Sequence, residues 1–197
     1  TTEIVPLGES FGLQVDDGSG LIVDKVIVCV GLVPNLELAE RAGLEVQDGI
    51  VVNERYETSA PNVFAAGDGI RVRTADGVLH HRQEHWEAAQ ISGKGAALAI
   101  LGQEIPAHGA PWFWSDRYGH HLEVTGQLNG SDIVVRPGEP VPSVFLLEDG
   151  LLQGAAAVDQ TQLVRAARRL IDQQIPVSRE ELADPEVSLR TLLRAQR

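Results

Sequence analysis

Between Leu101 and Trp112 the sequence places Gly102, Pro106, Gly109 and Pro111 within one short stretch. That punctuation constrains the fold more than any other feature, because Gly and Pro at this density interrupt helices and strands alike. The chain is therefore read as two textures, one on each side of the break. Beyond it, apolar runs over residues 121–127, 133–136, 143–148 and 151–158 are separated by turn residues and read as short strands. A helix is expected over residues 161–173, with Leu163, Val164, Ala167, Leu170 and Ile171 on its apolar face. Two shorter helical pieces are expected at 179–182 and 189–195. Strands followed by helices indicate an α+β domain.

Ahead of the break the apolar runs end on glycines. Residues 11–15 alternate, Asp16-Asp17-Gly18-Ser19-Gly20 supplies a turn, and Val26-Ile27-Val28-Cys29-Val30 follows, which predicts a hairpin leading into a buried strand closed by Gly31. Cys29 is then expected to be an inert core thiol. A short helix over 36–42 should stop at Gly43, and Ile50-Val51-Val52 reads as a short strand. Val63-Phe64-Ala65-Ala66 reads as another, running into Gly67-Asp68-Gly69, a way to bring backbone and a carboxylate close to a ligand. Residues 70–84 read as a polar loop. Trp86, Ala89, Gln90, Gly93, Ala96, Ala97 and Ile100 give residues 85–101 helical spacing, with small residues on one face.

Charge and composition exclude several function classes. The 197 residues carry 28 acidic and 16 basic side chains, a formal charge of -12, which argues against a nucleic-acid binder that must displace counterions from phosphate. One Cys cannot form an internal disulfide. No apolar run is long enough for a bilayer, and Thr-Thr-Glu-Ile lacks the features of a secretory signal. No membrane association is expected, and the setting is read as soluble, reducing and cytoplasmic.

Four strings carry chemistry. Thr58-Ser59-Ala60-Pro61-Asn62-Val63-Phe64-Ala65-Ala66-Gly67-Asp68 delivers a carboxylate at a strand end, able to accept hydrogen bonds from hydroxyls. Gln83-Glu84-His85-Trp86-Glu87-Ala88-Ala89-Gln90 opens a helix whose unpaired N–H groups carry partial positive charge. Val26 to Gly31 with Pro34 is a weaker signal, and Pro111-Trp112-Phe113-Trp114-Ser115-Asp116 is an aromatic cluster opening the last domain. Taken in order, these strings resemble the FAD-dependent pyridine nucleotide-disulfide oxidoreductases, specifically the ferredoxin and rubredoxin reductase branch that serves oxygenases. No His-Pro dipeptide occurs, unlike the thiol-disulfide branch of the superfamily.

The resemblance implies a fold that is α+β overall. A partial FAD/NAD-binding, Rossmann-like α/β segment would be followed by an α+β reductase C-terminal domain with an antiparallel sheet and helices. It implies that residues 1–34 end an NAD(H)-binding domain, 35–108 form the second segment of an FAD-binding domain, and 109–197 form the reductase C-terminal domain. Asp68, with Gly67, would hold a ribityl hydroxyl of FAD. Trp86 would border the isoalloxazine, with the His85 and Trp86 backbone at its pyrimidine edge. Glu84 would lie near the nicotinamide, and Gly31 would approach bound NADH. No side chain is assigned as catalytic acid or base, since the cofactor carries the chemistry. The expected partner is an iron-sulfur ferredoxin or rubredoxin, and a homodimer is the expected oligomer if the chain assembles.

Arg71, Arg73 and Arg82 with the neighbouring histidines form the least acidic stretch near the presumed flavin edge, and read equally as a docking surface for an acidic partner or as a solvated loop. His80, His81, His85, His120 and His121 are not read as metal ligands. Neither Gly-x-Gly-x-x-Gly turn expected of a dinucleotide-binding flavoprotein occurs. The chain is accordingly read as a carboxy-terminal fragment, inactive alone and least ordered in its first segment. Two alternatives stay open: a non-enzymatic oligomerisation or partner-docking module, and a flavoprotein subunit of a nitrite- or oxygen-reducing system.

Overall fold

A computed structural model describes residues 1–194, divided into two compact units, residues 1–33 and the residues from Pro34 onward. The first unit is a three-stranded antiparallel meander of β1 (Glu3–Leu7), β2 (Ser10–Gln14) and β3 (Gly20–Val23). Its second hairpin closes where Val15 N–H donates to Ser19 O and Asp17 Oδ1 accepts from Ser19 N–H, an Asx turn of the kind the Asp-Asp-Gly-Ser run favours. The expected buried strand at Val26–Val30 does not form. Ile27, Val28, Val30 and Cys29 are exposed. An interior strand needs a hydrogen-bonding neighbour to satisfy its backbone, and among the described residues none pairs with this run.

In the second unit, α1 (Glu37–Arg41) ends before Gly43, whose φ of +71° is a left-handed stop. Strand β4 (Ile50–Val52) pairs in parallel with β5 (Ile70–Val72), Ile50 opposite Ile70 and Val52 opposite Val72. Strand β5 lies inside the stretch read as loop: Ile-Arg-Val is too short to show a period. The expected strand at Val63–Ala66 reduces to one bridge, Glu57 to Phe64, because the turn at Asn62, with φ +61°, leaves it no length. Phe64 and Ala65 still pack on the cluster of Val52, Tyr56, Ile70 and Ala96. Helix α2 (Trp86–Ile100) covers that cluster.

The last part is a five-stranded antiparallel sheet in the order β6-β7-β10-β9-β8. Strands β7 (His120–Gly126), β8 (Ile133–Arg136), β9 (Ser143–Glu148) and β10 (Leu151–Val158) match the expected segments. The aromatic string itself is an edge strand, β6 (Trp112–Arg117). Helix α3 (Thr161–Asp172) buries Val164, Ala166, Ala167 and Leu170 against Phe145, Leu147, Leu152 and Ala155. Each fully buried Val or Leu there contributes about 1.5–3 kcal/mol. Pairing of β10 with β9 slips between Leu152 and Gly154, a bulge that allows Leu152, Ala155 and Ala157 all to be buried.

Helix α4 (Arg179–Ala183) carries a capping box between Ser178 and Glu181, and α5 (Leu189–Leu192) follows. The last residue of the expected 189–195 helix lies outside the described residues. Buried Arg136 donates to the carbonyls of Leu182, Glu181 and Val187. Its guanidinium thereby satisfies helix-end acceptors that would otherwise be stranded.

Candidate functional site

Helix α2 begins at His85, whose extended backbone and Nδ1, accepting from Ala88 N–H at 3.3 Å, make it the N-cap. The N–H groups of Trp86 and Glu87 have no protein acceptor among the described residues. They leave the positive end of the helix open to a ligand. One helical turn after Ala88, buried Ser92 accepts from Gly67 N–H at 2.9 Å and donates to Ala88 O at 2.8 Å. That hydroxyl fastens the Gly67-Asp68 turn beside the start of α2. Gly67 adopts φ +89° with open space on its Cβ side. Asp68 is exposed, and its carboxylate has no hydrogen-bond or ion-pair partner among the described residues. Below the turn lies a cavity of about 250 Å³ lined in part by Gly67, His80, Gln83, Ala88, Ile91 and Ser92.

An aromatic group flanks the helix start. Trp86, 61% exposed, meets the edge of Trp114 at 5.9 Å and 72°, Trp114 stacks on Trp112 at 4.9 Å, and the His85 ring lies 6.0 Å from Phe113. Two carboxylates hold this group. Glu87 pairs with both terminal nitrogens of Arg168, at 3.0 and 3.1 Å, and accepts from Trp112 N–H at 3.1 Å. Glu123, 2% exposed, accepts from Trp112 Nε1 at 3.1 Å. The other oxygen of Glu123 has no hydrogen bond, and His121 Nε2 stands 3.7 Å from it. His121 Nδ1 bonds to Asp116 at 2.6 Å. That bond, reinforced by the charges of Asp116, Glu123 and Asp159, raises the His121 pKa above its ordinary value. The hydrogen bond from His120 lowers that of Asp159.

The structure thus ties the Gly67-Asp68 turn to α2 through Ser92 and sets His85 and Trp86 at the first turn of that helix; of the four, Gly67 lines the cavity described above, and Trp86 lines another with Glu87 and Gln90. Glu84 is tied differently: its carboxylate accepts from Arg82 Nε at 2.7 Å. Gly31 lies in the first unit, with φ +110°. The arginines proposed for docking are engaged within the chain. Arg73 grips both oxygens of Glu45 at 2.8 Å, Arg82 also pairs with Asp48 at 2.6 Å, and Arg71 donates to the carbonyls of His80 and Gln47. The hydrogen bond from Arg73 holds Glu45 below its ordinary pKa, and that from Arg82 does the same to Asp48. Arg73 and Arg82 are thereby neutralised by carboxylates, whereas Arg71, bonded to carbonyl oxygens, keeps its charge. No group of three or more metal-ligating side chains occurs among the described residues. Ser92, Glu87, Arg168 and Glu123 escaped the sequence reading. A serine in mid-helix and a Glu 81 positions from its Arg leave no local pattern.

Comparison with known proteins gives two family matches, pyridine nucleotide-disulphide oxidoreductase over residues 1–93 and reductase C-terminal over residues 112–193. Among solved structures, the chain is similar to putidaredoxin reductase in its covalent complex with putidaredoxin. The identity is 34% and the TM-score 0.82, over 91% of this chain and 44% of that one. It is also similar to the ferredoxin reductase for the CYP199A2 system from Rhodopseudomonas palustris, with 31% identity and TM-score 0.85 over 96% of this chain and 48% of that one. NADH:rubredoxin oxidoreductase from Clostridium acetobutylicum, at 20% identity and TM-score 0.62 over 83% of this chain and 42% of that one, shares the fold. The chain spans a little under half the length of these relatives.

Proposed function

We propose, for a chain that belongs to the pyridine nucleotide-disulphide oxidoreductases and to their ferredoxin and rubredoxin reductase branch, that the whole protein carries electrons from NADH through FAD to an iron-sulfur ferredoxin or rubredoxin. Residues 1–34 would close its NADH domain, 35–108 would complete its FAD domain and 109–197 would form its reductase C-terminal domain. The observation that carries the reading is the Ser92 to Gly67 hydrogen bond. It fastens a glycine with an open Cβ side, and the free carboxylate that follows it, to the helix whose first two N–H groups lack protein acceptors, and Gly67, Ala88 and Ser92 line one cavity.

These residues fit half of a flavin site. FAD, when bound, supplies the hydride acceptance and the one-electron delivery. The Asp68 carboxylate accepts from a ribityl hydroxyl, for which its lack of a protein partner leaves it free. The N–H groups of Trp86 and Glu87 would present the positive end of α2 to the flavin pyrimidine edge, where reduction adds negative charge, and so would favour the reduced form. The Trp86 ring would border the ring system and help to exclude water there. Gly31 and Glu84 belong to the NADH side of the same reading, and Glu84 would exchange its bond to Arg82 for that role. A cytoplasmic setting belongs to it as well; no helix among the described residues is long and apolar enough to cross a membrane. With neither Gly-x-Gly-x-x-Gly turn in its sequence, the chain alone is assigned no turnover.

Replacing Asp68→Ala in the full-length protein tests the anchoring role. A hydrogen bond to a charged acceptor contributes about 1.5–3 kcal/mol, so FAD affinity measured by fluorescence titration should fall roughly 10- to 100-fold. Unchanged affinity would remove Asp68 from the site.

A further inference from the structure

We propose that Glu87 is a positioning residue through which the reductase C-terminal domain sets the reduction potential of the flavin. The inference rests on the functional reading above and deepens it. Glu87 is the second residue of α2, so its carboxylate stands at the positive helix end that would face the cofactor. Alone, it would place a negative charge where reduction also places one, and so disfavour the reduced flavin. It is not alone. The Arg168 guanidinium, presented from α3, meets both its oxygens at 3.0 and 3.1 Å, and both side chains are largely shielded, 19% and 26% exposed. A fork-to-fork pair of this kind fixes orientation as well as charge.

The second anchor is the Trp112 amide, which donates to the same carboxylate at 3.1 Å. Trp112 is held at its other end, where its indole N–H donates to buried Glu123. Arg168, Glu87, Trp112 and Glu123 thus form one connected line from α3, through the first turn of α2, into β7. Trp86 rests on Trp114, which stacks on Trp112, so the residue assigned to the flavin border is seated on the same line. Position and neutrality are supplied together. The pair holds the start of α2 in place and cancels the carboxylate that would oppose its dipole.

Two substitutions separate positioning from a plain charge effect. Glu87→Gln removes a negative charge and Arg168→Gln a positive one, so through-space electrostatics would move the flavin potential in opposite directions. Loss of positioning moves it the same way in both, downward, because the N–H groups of α2 are no longer held at the flavin. The potential is measured on the FAD-loaded full-length protein. A companion measurement needs no cofactor: the part of the tryptophan exciton circular-dichroism couplet that Trp86→Phe abolishes, recorded on this chain with helix content checked in the far ultraviolet. That part should fall by about half or more in both Gln variants. Potentials shifting in opposite directions, an unchanged potential, or an intact Trp86 couplet would each overturn the proposal. Because the couplet is read without FAD, its failure counts against Glu87 alone, whereas a wild-type protein that takes up no FAD counts against the functional reading.

Discussion

His121 stands between two carboxylates. One ring nitrogen bonds to Asp116, and the other faces the unbonded oxygen of buried Glu123. A protonated ring satisfies both carboxylates; a neutral ring can donate to only one of them. Its native pKa is raised, first by the Asp116 hydrogen bond. The stabilisation is therefore fully present below the ordinary histidine value of about 6.5 and is lost as pH rises through the higher native value. His120 and Asp159 add a trend of opposite sign, since a lowered carboxylate pKa gives stability that disappears as pH falls. Comparing wild type with His121→Gln isolates the first effect. The difference in melting temperature between them should be largest at about pH 5.5 and shrink toward about pH 8.5. A difference constant across that range would show that folding leaves the His121 pKa unshifted.

At the scale of elements, helix α2 shows how little freedom its small face leaves. A Cβ on Gly95 would lie 2.1 Å from Cε2 of Tyr56, a buried ring on a residue with φ +63°. Ala in place of Gly gains about 1 kcal/mol of helix propensity, while overpacking costs typically 1–3 kcal/mol. Gly95→Ala should therefore be net destabilising. Gly93→Ala, two positions away and with nothing within 4 Å, should instead stabilise by up to about 1 kcal/mol; chemical denaturation of the two variants checks both signs. The small-residue face of this helix was legible in the sequence, and so were four strands of the large sheet, because their periods run for enough residues to register. Strand β5 was not, at three residues, nor was β6, whose Trp-Phe-Trp reads as packing before it reads as pairing. Val26–Val30 misled in the other direction: its composition suits an interior strand, but composition cannot supply the neighbours that make one. At the site, Asp68 and His85 stood out by sequence, whereas Ser92 and the Glu87–Arg168 pair exist only once distant segments meet.

For the whole molecule, the boundary near Val33 is the feature with the most direct test. Residues 25–30 have no backbone hydrogen bonds, and the apolar side chains among them are largely exposed, which places this stretch at the low end of local stability. Lys25 lies within it. Trypsin at limiting concentration should cut there first and leave the larger unit folded and resistant. Initial cleavage within β6–β10 would contradict that order. The formal charge of -12 is shared across both units and favours solubility over self-association.

The bulge in β10 also sets which length changes this protein can accumulate over evolutionary time. Because pairing slips between Leu152 and Gly154, Leu152 and Ala155 are both buried although three positions separate them. Deleting Gln153 would remove the bulge and leave Leu152, Ala155 and Ala157 in strict alternation on the core face, whereas deleting Ala156 would turn Ala155 and Ala157 to opposite faces. Gly154 must stay glycine in either case, since a Cβ there would lie 1.9 Å from the Gln127 carbonyl oxygen. A single-residue deletion should thus be accommodated at Gln153 and purged at Ala156, so that in a lineage of such chains the bulge could be lost while the spacing from Ala155 to Ala157 is kept.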